Sequence, residues 1–398
     1  MTDVTIIGGG IVGLGAAHAL LERGVTSLRV IEKEVGLAHH QSSHNSGVLH
    51  AGLQYEPGSM KAKLARSGIR RMVEFCQEHH IGHDVCGKLV VARSASEMSR
   101  LDAMLERGRA NGLAGLRTIG PEEAREIEPH VECAAAIVVP EEGIADFPGV
   151  CRALEGILRR HDVEILTGAE VRAMRRAASE WTIETTAGSV ATRVVVTCGG
   201  LFADRLTRMA GSDPRCRIVP FRGEYFRLRE DREHLVRHLI YPLPEPGFPF
   251  LGVHFTRRVG GGIDAGPNAV LAFAREGYSR STVDVRDVAD ALGWPGLWRF
   301  ILDHPSMVAR ELGQSFSKSR FVSALQTLIP EIQIDDLVHG HAGVRAQAMD
   351  SRGRLIHDFV WSESDGAVHV VNAPSPAATA SLAIGDEIAT RVLAQLGR

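Results

Sequence analysis

The stretch "VTIIGGGIVGLGAAHALLERG", residues 4–24, is the most informative part of the chain about its architecture. A short run of β-branched residues precedes Gly8-x-Gly10-x-x-Gly13, and an apolar helical pattern follows it and ends at Gly24. The pattern predicts a strand, a tight turn and a helix whose first N–H groups face the turn. Gly8 permits the bend, Gly10 lets a pyrophosphate approach the backbone, and Gly13 lets the helix pack on the strand.

A second predicted strand, "LRVIEKE" at residues 28–34, completes a strand–helix–strand unit. Its Glu32 stands nineteen positions after Gly13. An acid at that place accepts hydrogen bonds from an adenosine ribose and disfavours a 2′-phosphate. The unit therefore predicts a bound dinucleotide, and by itself it does not separate FAD from NAD.

The stretch "HNSGVLHAG", residues 44–52, carries two histidines about thirty residues after the glycine motif. His44 and His50 are six positions apart, which keeps both on one face if the segment is extended. The pattern alone allows four interpretations: a metal site, a catalytic pair, a phosphate-binding loop or an ordinary polar turn.

Composition limits the class of protein. With 398 residues, 44% of them hydrophobic and 23% charged, the chain is long enough for two domains and has the make-up of a soluble globular protein. A formal net charge of −3 argues against a nucleic-acid binder. The six cysteines lack any C-x-x-C spacing, which argues against structural zinc or a disulfide framework. We expect a cytoplasmic protein, with peripheral association with the inner face of a membrane left open.

The nucleotide sheet is expected to continue far along the chain. The stretch "SVATRVVVTCGGLFADRL", residues 189–206, predicts a late strand that runs into Gly199-Gly200 and a helix. Residues 217 to about 333 then become rich in β-type stretches, which predicts an antiparallel sheet with one face open to a ligand. The dinucleotide-binding domain is therefore predicted to be discontinuous in sequence.

Several longer motifs resemble one known family. They are "GGGIVGL" with "EKE", "HNSGVLHAG", "PFRGEYFRL", "IYPLP", "FLGVHFTR", "GPNAVLAF" followed by "REGY", "AGVRAQ" and "NAPSPAAT". Together they resemble, in collinear order from about residue 4 to 395, the L-2-hydroxyglutarate oxidase/dehydrogenase family. These are FAD proteins of the D-amino-acid-oxidase/glycine-oxidase-like superfamily.

The resemblance implies a fold of mixed α/β (α+β) class with two domains. A Rossmann-type FAD-binding domain is expected at residues 1–85, 145–215 and 335–398. An antiparallel-sheet substrate-binding domain is expected at residues 86–144 and 216–334. We expect non-covalent FAD, because no cysteine lies in a motif that would face the flavin ring; a covalent link to His44 or His50 is a minor alternative.

The resemblance also implies which residues surround the cofactor. In the C-terminal "NAPSPAAT", a helix beginning near Ser375 to Ala378 would aim N–H groups at the flavin and stabilise the reduced ring. The alternative is a tight strand-to-helix turn that only packs. The expected cofactor-binding residues are Gly8, Gly10, Ile11, Val12, Gly13, Glu32, Lys33, Ser42, His44, Asn45, Ser46, Gly47, Val171, Gly199, Arg345, Pro374, Ser375, Pro376, Ala377, Ala378 and Thr379.

The activity that the resemblance implies is oxidation of the α-hydroxyl of L-2-hydroxyglutarate to 2-oxoglutarate, with electrons passed to a quinone, a respiratory-chain carrier or O₂. An alcohol is too weak an acid to lose its proton unaided, so a base is needed. Histidine suits the task because its ordinary pKa lies near 6.5. His254 is our first choice and His50 the second; the plainer interpretation of His254 is a strand histidine bonded to backbone.

A substrate with two carboxylates calls for cationic or hydroxyl partners. Arg345 is expected to hold the α-carboxylate. The substrate-domain motifs supply further candidates for binding the distal carboxylate or the hydroxyl, which are Arg222, Tyr225, Tyr241 and Arg257. Lys88 is a weaker candidate. For each arginine the alternative is a surface ion pair that contributes little.

Other functions are less well supported by the sequence. Pairs such as His39-His40 and His79-His80 supply no closed ligand set, so we expect no metal. The enzymatic alternative is an amine or amino-acid oxidase of the glycine-oxidase type. A non-catalytic dinucleotide-binding protein conflicts with the histidines, arginines and tyrosines clustered in the second predicted domain.

Overall fold

The computed structural model describes residues 2–245 and 251–398, so Phe250, the first residue of "FLGVHFTR", lies outside the described residues. The helices are α1 (Ile11–Glu22), α2 (Met60–Glu78), α3 (Met98–Ala110), α4 (Pro121–Ile127), α5 (Phe147–Arg160), α6 (Ala203–Met209), α7 (Val285–Leu292), α8 (Pro295–Asp303), α9 (Pro305–Phe316), α10 (Lys318–Leu325) and α11 (Ser381–Leu396). The strands are β1 (Thr2–Ile7), β2 (Leu28–Ile31), β3 (Val48–Leu49), β4 (His83–Asp84), β5 (Lys88–Ala92), β6 (Arg117–Ile119), β7 (Ala135–Val139), β8 (Gly143–Ala145), β9 (Glu164–Leu166), β10 (Val171–Ala177), β11 (Glu180–Thr185), β12 (Gly188–Thr197), β13 (Arg217–Leu228), β14 (Leu239–Pro242), β15 (His254–Arg257), β16 (Ile263–Gly266), β17 (Val270–Leu271), β18 (Leu337–Met349), β19 (Val360–Ser364) and β20 (Ala367–Asn372).

The first sheet has a parallel centre built around the glycine motif. Its strands β9, β2, β1 and β12 pair side by side in parallel, and the second half of β12 also pairs in parallel with β20. The first half of β12 pairs with β11, and β10 follows as an antiparallel extension. The predicted return of the late strand is thus confirmed, because β12 lies directly beside β1. This is the predicted Rossmann-type fold, discontinuous in sequence.

Small residues let the helices approach this sheet and each other. A Cβ atom on Gly13 would fall 1.9 Å from the carbonyl oxygen of Gly8, so only glycine lets α1 start so close to β1. A Cβ atom on Gly385 of α11 would fall 2.3 Å from the carbonyl oxygen of Gly15 on α1. The two helices therefore cross at backbone contact, which ties the C-terminal helix to the first βαβ unit.

The second sheet is mainly antiparallel. Its order is β17-β13-β16-β15-β14-β5-β7-β6, and the long strand β18 pairs with β13. The β13–β18 ladder runs from Arg217 opposite Met349 to Leu228 opposite Leu337, with a register shift between Glu224 and Phe226. One pairing, β14 with β5, is parallel and departs from the purely antiparallel sheet expected.

The strands sort largely as the expected domain ranges require. Strands β5, β6 and β7 come from residues 86–144 and lie in the second sheet with the strands of residues 216–334. The exception is β18, which falls inside the range 335–398 but pairs along its length with β13. β18 is therefore part of the second sheet, and the expected domain ranges stay a prediction.

A third, small sheet contains β3, β8 and β4. Val48 pairs with Ile144 and Leu49 with Gly143 in an antiparallel ladder. His50 directly follows β3, and Glu142 directly precedes β8. The small sheet therefore positions the second histidine of "HNSGVLHAG".

Among the residues that the structure describes, no helix combines the length and apolar character needed to cross a bilayer.

Candidate active site

The glycine turn after β1 has the geometry that the motif requires. Gly8 has a φ of +113°, which side chains other than glycine rarely tolerate. Gly10 precedes the first residue of α1, and the Ile11 N–H donates to Oγ of Ser42 at 2.9 Å. A Cβ atom on Gly10 would fall 3.2 Å from that same oxygen. The turn thus presents backbone, rather than side chains, at the N-terminus of α1, and Val12 lies in the first turn of the helix.

Glu32 stands at the carboxyl end of β2, beside the turn. Its Oε2 accepts from the Gly9 N–H at 2.7 Å, and its Oε1 accepts from the Glu34 N–H at 3.0 Å. The Ala169 N–H donates to the Glu32 carbonyl at 2.9 Å, which brings the start of β10 at Val171 near this end. On the other side of the turn, the Cys198 N–H donates to the Ile7 carbonyl at 2.7 Å, so Gly199 follows directly beside it.

The loop at residues 40–47 is a turn and not an extended segment. The amide of Asn45 donates to the carbonyls of Gln41 and Ser42, and its Oδ1 accepts from the Gly47 N–H at 2.8 Å. The half-buried Ser46 lies between them. His44 stacks on Tyr278 with ring centroids 4.1 Å apart. The segment folds back before the short strand β3, so the condition under which His44 and His50 would share one face, an extended segment, is not met.

The C-terminal motif forms turns before its helix. The Ala377 N–H donates to the Pro374 carbonyl at 2.9 Å, and the Ala380 N–H donates to the Pro376 carbonyl at 2.9 Å. The helix α11 begins at Ser381, so the expected start near Ser375 to Ala378 is wrong by several residues. Thr379 still reaches the site, because its Oγ1 accepts from the His50 N–H at 3.2 Å and donates to the Val48 carbonyl at 3.1 Å.

These segments fit FAD. A cradle of backbone surrounds the positive end of α1, and Cβ atoms on Gly8 and Gly9 would fall 2.4 Å from the Cys198 carbonyl oxygen and 2.5 Å from the Leu37 side chain. The free N–H groups of a helix start suit a pyrophosphate. Glu32 would supply the acceptor for a ribose hydroxyl.

Lys33 lies in a cluster of charged side chains at the edge of this region. Its Nζ lies 2.7 Å from Oε1 of Glu276 and also contacts Glu34, and His40 contacts both carboxylates at 2.9 Å. Hydrogen bonds from Lys33 and His40 hold the pKa of Glu34 down at about 2. Within residues 2–245 and 251–398, Glu34, His40 and Glu276 form one cluster of side chains of the kind that could bind a metal ion. The Lys33 ammonium already lies against its carboxylates and balances their negative charge.

His254 is buried at the start of β15. Its Nδ1 lies 2.8 Å from the Gly252 carbonyl, which only an N–H can satisfy, so the lone pair is left on Nε2. Its ring lies against that of Tyr241, with centroids 3.8 Å apart. Burial lowers the pKa of His254 to about 3, so the ring is neutral at physiological pH.

Tyr225 and Arg345 lie near His254. Burial raises the pKa of Tyr225 to about 12, against the opposing effect of the Arg345 charge, and the same charge lowers the pKa of His254. Tyr225 stacks on His341 with centroids 4.4 Å apart. Tyr241 is fully buried, burial raises its pKa, and its hydroxyl lies 3.5 Å from Oγ1 of Thr256. Four of the predicted residues, from separate strands, are therefore brought together.

His50 enters the same cluster from the small sheet. It lines a cavity of about 20 Å³ together with Tyr55, Glu142 and Tyr241. Its Nδ1 lies 3.7 Å from Oε2 of Glu142. Lys88 of β5 forms an ion pair with the same carboxylate oxygen, and its ammonium also lies 4.8 Å from the centre of the Tyr241 ring.

The motifs of the sequence do not point to Glu142 or Tyr55, although both line the cavity beside His50. Nothing local separates Glu142 from its neighbour Glu141, which forms an ion pair with Arg66 at 2.8 Å and is more exposed. Only the fold identifies Glu142, by placing it beside His50 where β3 pairs with β8. Tyr55, held beside Ser375, belongs to no motif that sequence reasoning singled out.

Two predicted substrate-binding arginines lie away from this cluster. On β13, Arg222 is opposite Val344 while Phe221 is opposite Arg345, so the two arginines point to opposite faces of the ladder. Arg222 bonds Glu224 and the Ser279 carbonyl at 3.0 Å. On β15, Arg257 alternates away from His254 and forms an ion pair with Asp84 at 3.1 Å. Strand alternation thus separates Arg222 from Arg345 and Arg257 from His254, and the role of these two arginines in substrate binding stays a prediction.

Comparison with known proteins identifies relatives along nearly the whole chain. The family model described as DAO, FAD dependent oxidoreductase, matches residues 3–391. An L-2-hydroxyglutarate dehydrogenase of Indibacter alkaliphilus is 44% identical over 388 residues, covering 97% of each chain. The human mitochondrial L-2-hydroxyglutarate dehydrogenase is 42% identical over 408 residues, covering 98% of this chain and 88% of that protein. The corresponding Escherichia coli K12 protein is 41% identical, with coverage of 98% and 93%.

Solved structures show the same fold. L-α-glycerophosphate oxidase from Mycoplasma pneumoniae, solved with FAD bound, superposes with a TM-score of 0.81 at 21% identity, covering 98% of this chain and 94% of that one. Glycine oxidase from Bacillus cereus gives 0.71 at 19% identity, with coverage of 99% and 95%. The predictions of FAD and of an oxidoreductase are confirmed by the family match. The chain belongs to the DAO family of FAD-dependent oxidoreductases, and within that family its relatives are proteins named L-2-hydroxyglutarate dehydrogenase.

Proposed function

We propose that this enzyme oxidises L-2-hydroxyglutarate to 2-oxoglutarate. The observation that carries the proposal is the grouping of two histidines, His50 and His254, with Arg345 and Tyr225. The names of relatives above 40% identity support the same substrate. The structural likeness to glycine oxidase, at 19% identity, supports the fold alone.

The need for a base follows from the substrate's chemistry. In the oxidation, the O–H and Cα–H bonds of the alcohol break and a C=O bond forms, so one proton and one hydride leave. FAD, when bound, supplies the acceptor for that hydride. The proton has to go to a protein group, because a free alcohol holds it too tightly near neutral pH.

The environment of each histidine favours His50 as the base. His254 holds a proton weakly, since burial lowers its pKa to about 3. Its better role is to accept a hydrogen bond through Nε2 and to orient the hydroxyl. His50 faces a cavity and has a carboxylate beside its Nδ1, so the Nε2 lone pair can take the proton. This reverses the order of the two histidines expected from the sequence.

The substrate's carboxylates would be held by the cationic and hydroxyl groups of the cluster. Arg345 can bind the α-carboxylate through two parallel N–H donors. Tyr225 keeps its proton, because burial raises its pKa to about 12, and can donate from its hydroxyl. Tyr241 offers a second hydroxyl from the opposite side, next to His254.

We further propose the route of the electrons and the domain roles. A dehydrogenase, by its name, passes electrons to a carrier other than O₂, so a quinone or another respiratory-chain carrier is the proposed acceptor. Peripheral association with the inner face of the membrane would bring the enzyme to such a carrier. Residues 86–144 and 216–349 would bind the substrate, and the remaining ranges would bind FAD.

Anaerobic reduction tests the substrate. The purified yellow protein is mixed with L-2-hydroxyglutarate, with its D enantiomer, or with glycine, sarcosine or a D-amino acid, and the flavin absorbance is followed. Rapid bleaching by L-2-hydroxyglutarate alone is the expected result. Bleaching only by the amines would instead identify an amine oxidase, and bleaching by none would remove the catalytic proposal.

Exchange at the two histidines tests the assignment of the base. His50→Gln should slow bleaching by about 100-fold, within the roughly 10²- to 10⁴-fold that a general base contributes. His254→Asn should have the smaller effect and raise the substrate concentration needed. Fast bleaching by the His50 variant with slow bleaching by the His254 variant would return His254 to first place.

A further inference from the structure

We propose that Glu142, held by Lys88, is a positioning residue that orients His50 for proton removal. The inference rests on the proposed function, since it assigns a helper to the proposed base. Glu142 belongs to no motif of the sequence, and its side chain is buried. Burying a charged group costs free energy unless the charge is paired.

Backbone pairing places the two side chains together. In the ladder of β3 and β8, Leu49 pairs with Gly143, so His50 follows and Glu142 precedes the residues of this last pair. The Glu142 Oε1 accepts from the Ala51 N–H at 3.0 Å, which fixes the carboxylate relative to the residue after His50. The Thr379 hydroxyl accepts from the His50 N–H at 3.2 Å on the other side. The histidine backbone is therefore clamped from two elements.

Lys88 keeps this carboxylate charged. The side chains of Glu142 and Lys88 are only 2% and 7% exposed, and they form an ion pair. The Gly87 N–H donates to the Glu142 carbonyl at 2.8 Å, which anchors the residue before Lys88 to the same loop. Burial alone would raise the pKa of Glu142, but Lys88 and His50 lower it to about 2.

A charged carboxylate beside Nδ1 determines how His50 can act. The Glu142 Oε2 lies 3.7 Å from Nδ1, and such contacts are often long before substrate binds. The carboxylate favours a proton on Nδ1, which leaves the lone pair on Nε2. It also stabilises the imidazolium that forms when Nε2 takes the substrate's proton, as the acid of a catalytic triad does.

The other titratable groups around His50 do not supply this charge. Lys88 on β5 is cationic, His254 on β15 is neutral, and Tyr55 and Tyr241 keep their protons because burial raises their pKa values. Among these groups Glu142 is the anion. Its removal should therefore affect the protonation of His50 as well as its orientation.

The central test is Glu142→Gln in the FAD-loaded enzyme, with Glu141→Gln as the matched control one position earlier. For Glu142→Gln we expect the rate of flavin reduction at saturating substrate to fall by about 100-fold, within the range of general-base catalysis. The substrate concentration for half-saturation should change little. The acidic limb of the pH–rate profile should move to lower pH, because the neutral amide no longer stabilises a protonated His50. Glu141→Gln should behave as wild type.

A second variant separates an effect on catalysis from a loss of stability. Glu142→Gln leaves the Lys88 ammonium buried without its partner, which can destabilise the fold by itself. Lys88→Met combined with Glu142→Gln removes both charges, and we expect this protein to retain FAD and the wild-type melting temperature within a few degrees. It should show the same slow reduction and the same shift of the pH limb.

Two outcomes would overturn the proposal. One is a wild-type rate in either Glu142 variant, and the other is a slow rate whose pH profile is that of wild type. Failure of the proposed function is distinguishable from both, because then the wild-type flavin is not reduced by any 2-hydroxy acid. If a 2-hydroxy acid other than L-2-hydroxyglutarate reduces the wild type, the comparison is made with that acid and the expectation is unchanged.

Discussion

Glu141 and Glu142 are chemically identical neighbours with opposite environments. Glu141 forms a half-buried ion pair with Arg66 that water still reaches, whereas Glu142 is buried against Lys88 and His50. A pair that water reaches is screened, while a buried carboxylate is costly unless it is paired. At the scale of single residues, the active site is thus distinguished by charges that water does not screen.

Burial of a neutral histidine makes the stability of the protein depend on pH. His369 is fully buried next to Thr197, with Nδ1 3.0 Å from the hydroxyl, and burial lowers its pKa to about 4. The unfolded chain binds a proton below about pH 6.5 that the folded chain does not, so stability falls as the pH decreases through this range.

We therefore predict that His369→Gln flattens the pH dependence of stability. Between pH 6.5 and 4.5, the free energy of unfolding of the wild type should lose up to about 1.4 kcal/mol per pH unit from this group. Chemical denaturation at several pH values measures the slope in both proteins, with the exposed His161→Gln as control. A slope unchanged by His369→Gln would show that His369 is protonated in the fold.

The position of the glycine turn before α1 depends on how closely α1 packs against its neighbouring elements. The helix α1 starts against β1 through Gly13 and crosses α11 at Gly15 and Gly385. The C-terminal loop that carries Thr379 leads directly into α11. A shift of α11 would therefore move both the turn at the N-terminus of α1 and the contact of Thr379 with His50.

Gly385→Ala should be destabilising and Gly156→Ala should not. The added Cβ at Gly385 would fall 2.3 Å from a backbone oxygen, whereas at Gly156 of α5 its nearest neighbour is an arginine side-chain nitrogen at 3.5 Å. Overpacking costs about 1–3 kcal/mol, while a helical glycine replaced by alanine gains about 0.5–1 kcal/mol. Thermal unfolding of the two variants measures the difference, and equal melting temperatures would contradict the close crossing.

At the scale of the whole molecule, a buried ion cluster joins parts of the chain that belong to different sheets. Arg275 follows β17 of the second sheet, and Asp204 lies on α6, just after β12 of the first. The Arg275 side chain is 1% exposed and binds Asp204, Asp290 and the Leu201 carbonyl. Burial would raise the pKa of Asp204, but Arg275 lowers it, so the carboxylate is charged.

Arg275→Met should destabilise the protein by about 3–5 kcal/mol, because it removes the buried partner of Asp204 and leaves that carboxylate only the more exposed Arg208. Arg286→Met, on the exposed side of α7, should change stability by less than about 0.5 kcal/mol. Urea denaturation of the FAD-loaded proteins provides the comparison. A cost below about 1 kcal/mol for Arg275→Met would mean that Asp204 finds water or another cation.

Much of the fold follows from short-range patterns. The glycine spacing, the apolar helix and Glu32 predict the first βαβ unit, because turn and helix geometry depend on a few neighbouring residues. The return of β12 beside β1 and the family motifs also follow from sequence. The spacing in the sequence also predicts that Arg257 and His254 point apart, because residues an odd number of positions apart on a strand lie on opposite faces.

Local patterns in the sequence were thus enough to predict the FAD fold and the family. Which polar side chains meet depends on the fold: Glu142 lies beside His50 where β3 pairs with β8, and the β13–β18 register puts Arg222 on the face opposite Arg345. Those registers pair residues about a hundred positions apart, and the β13–β18 ladder contains a shift that no local pattern predicts. Strand pairing over such separations depends on the packing of the whole chain, which is why the contact of His50 with Glu142 emerges only from the fold.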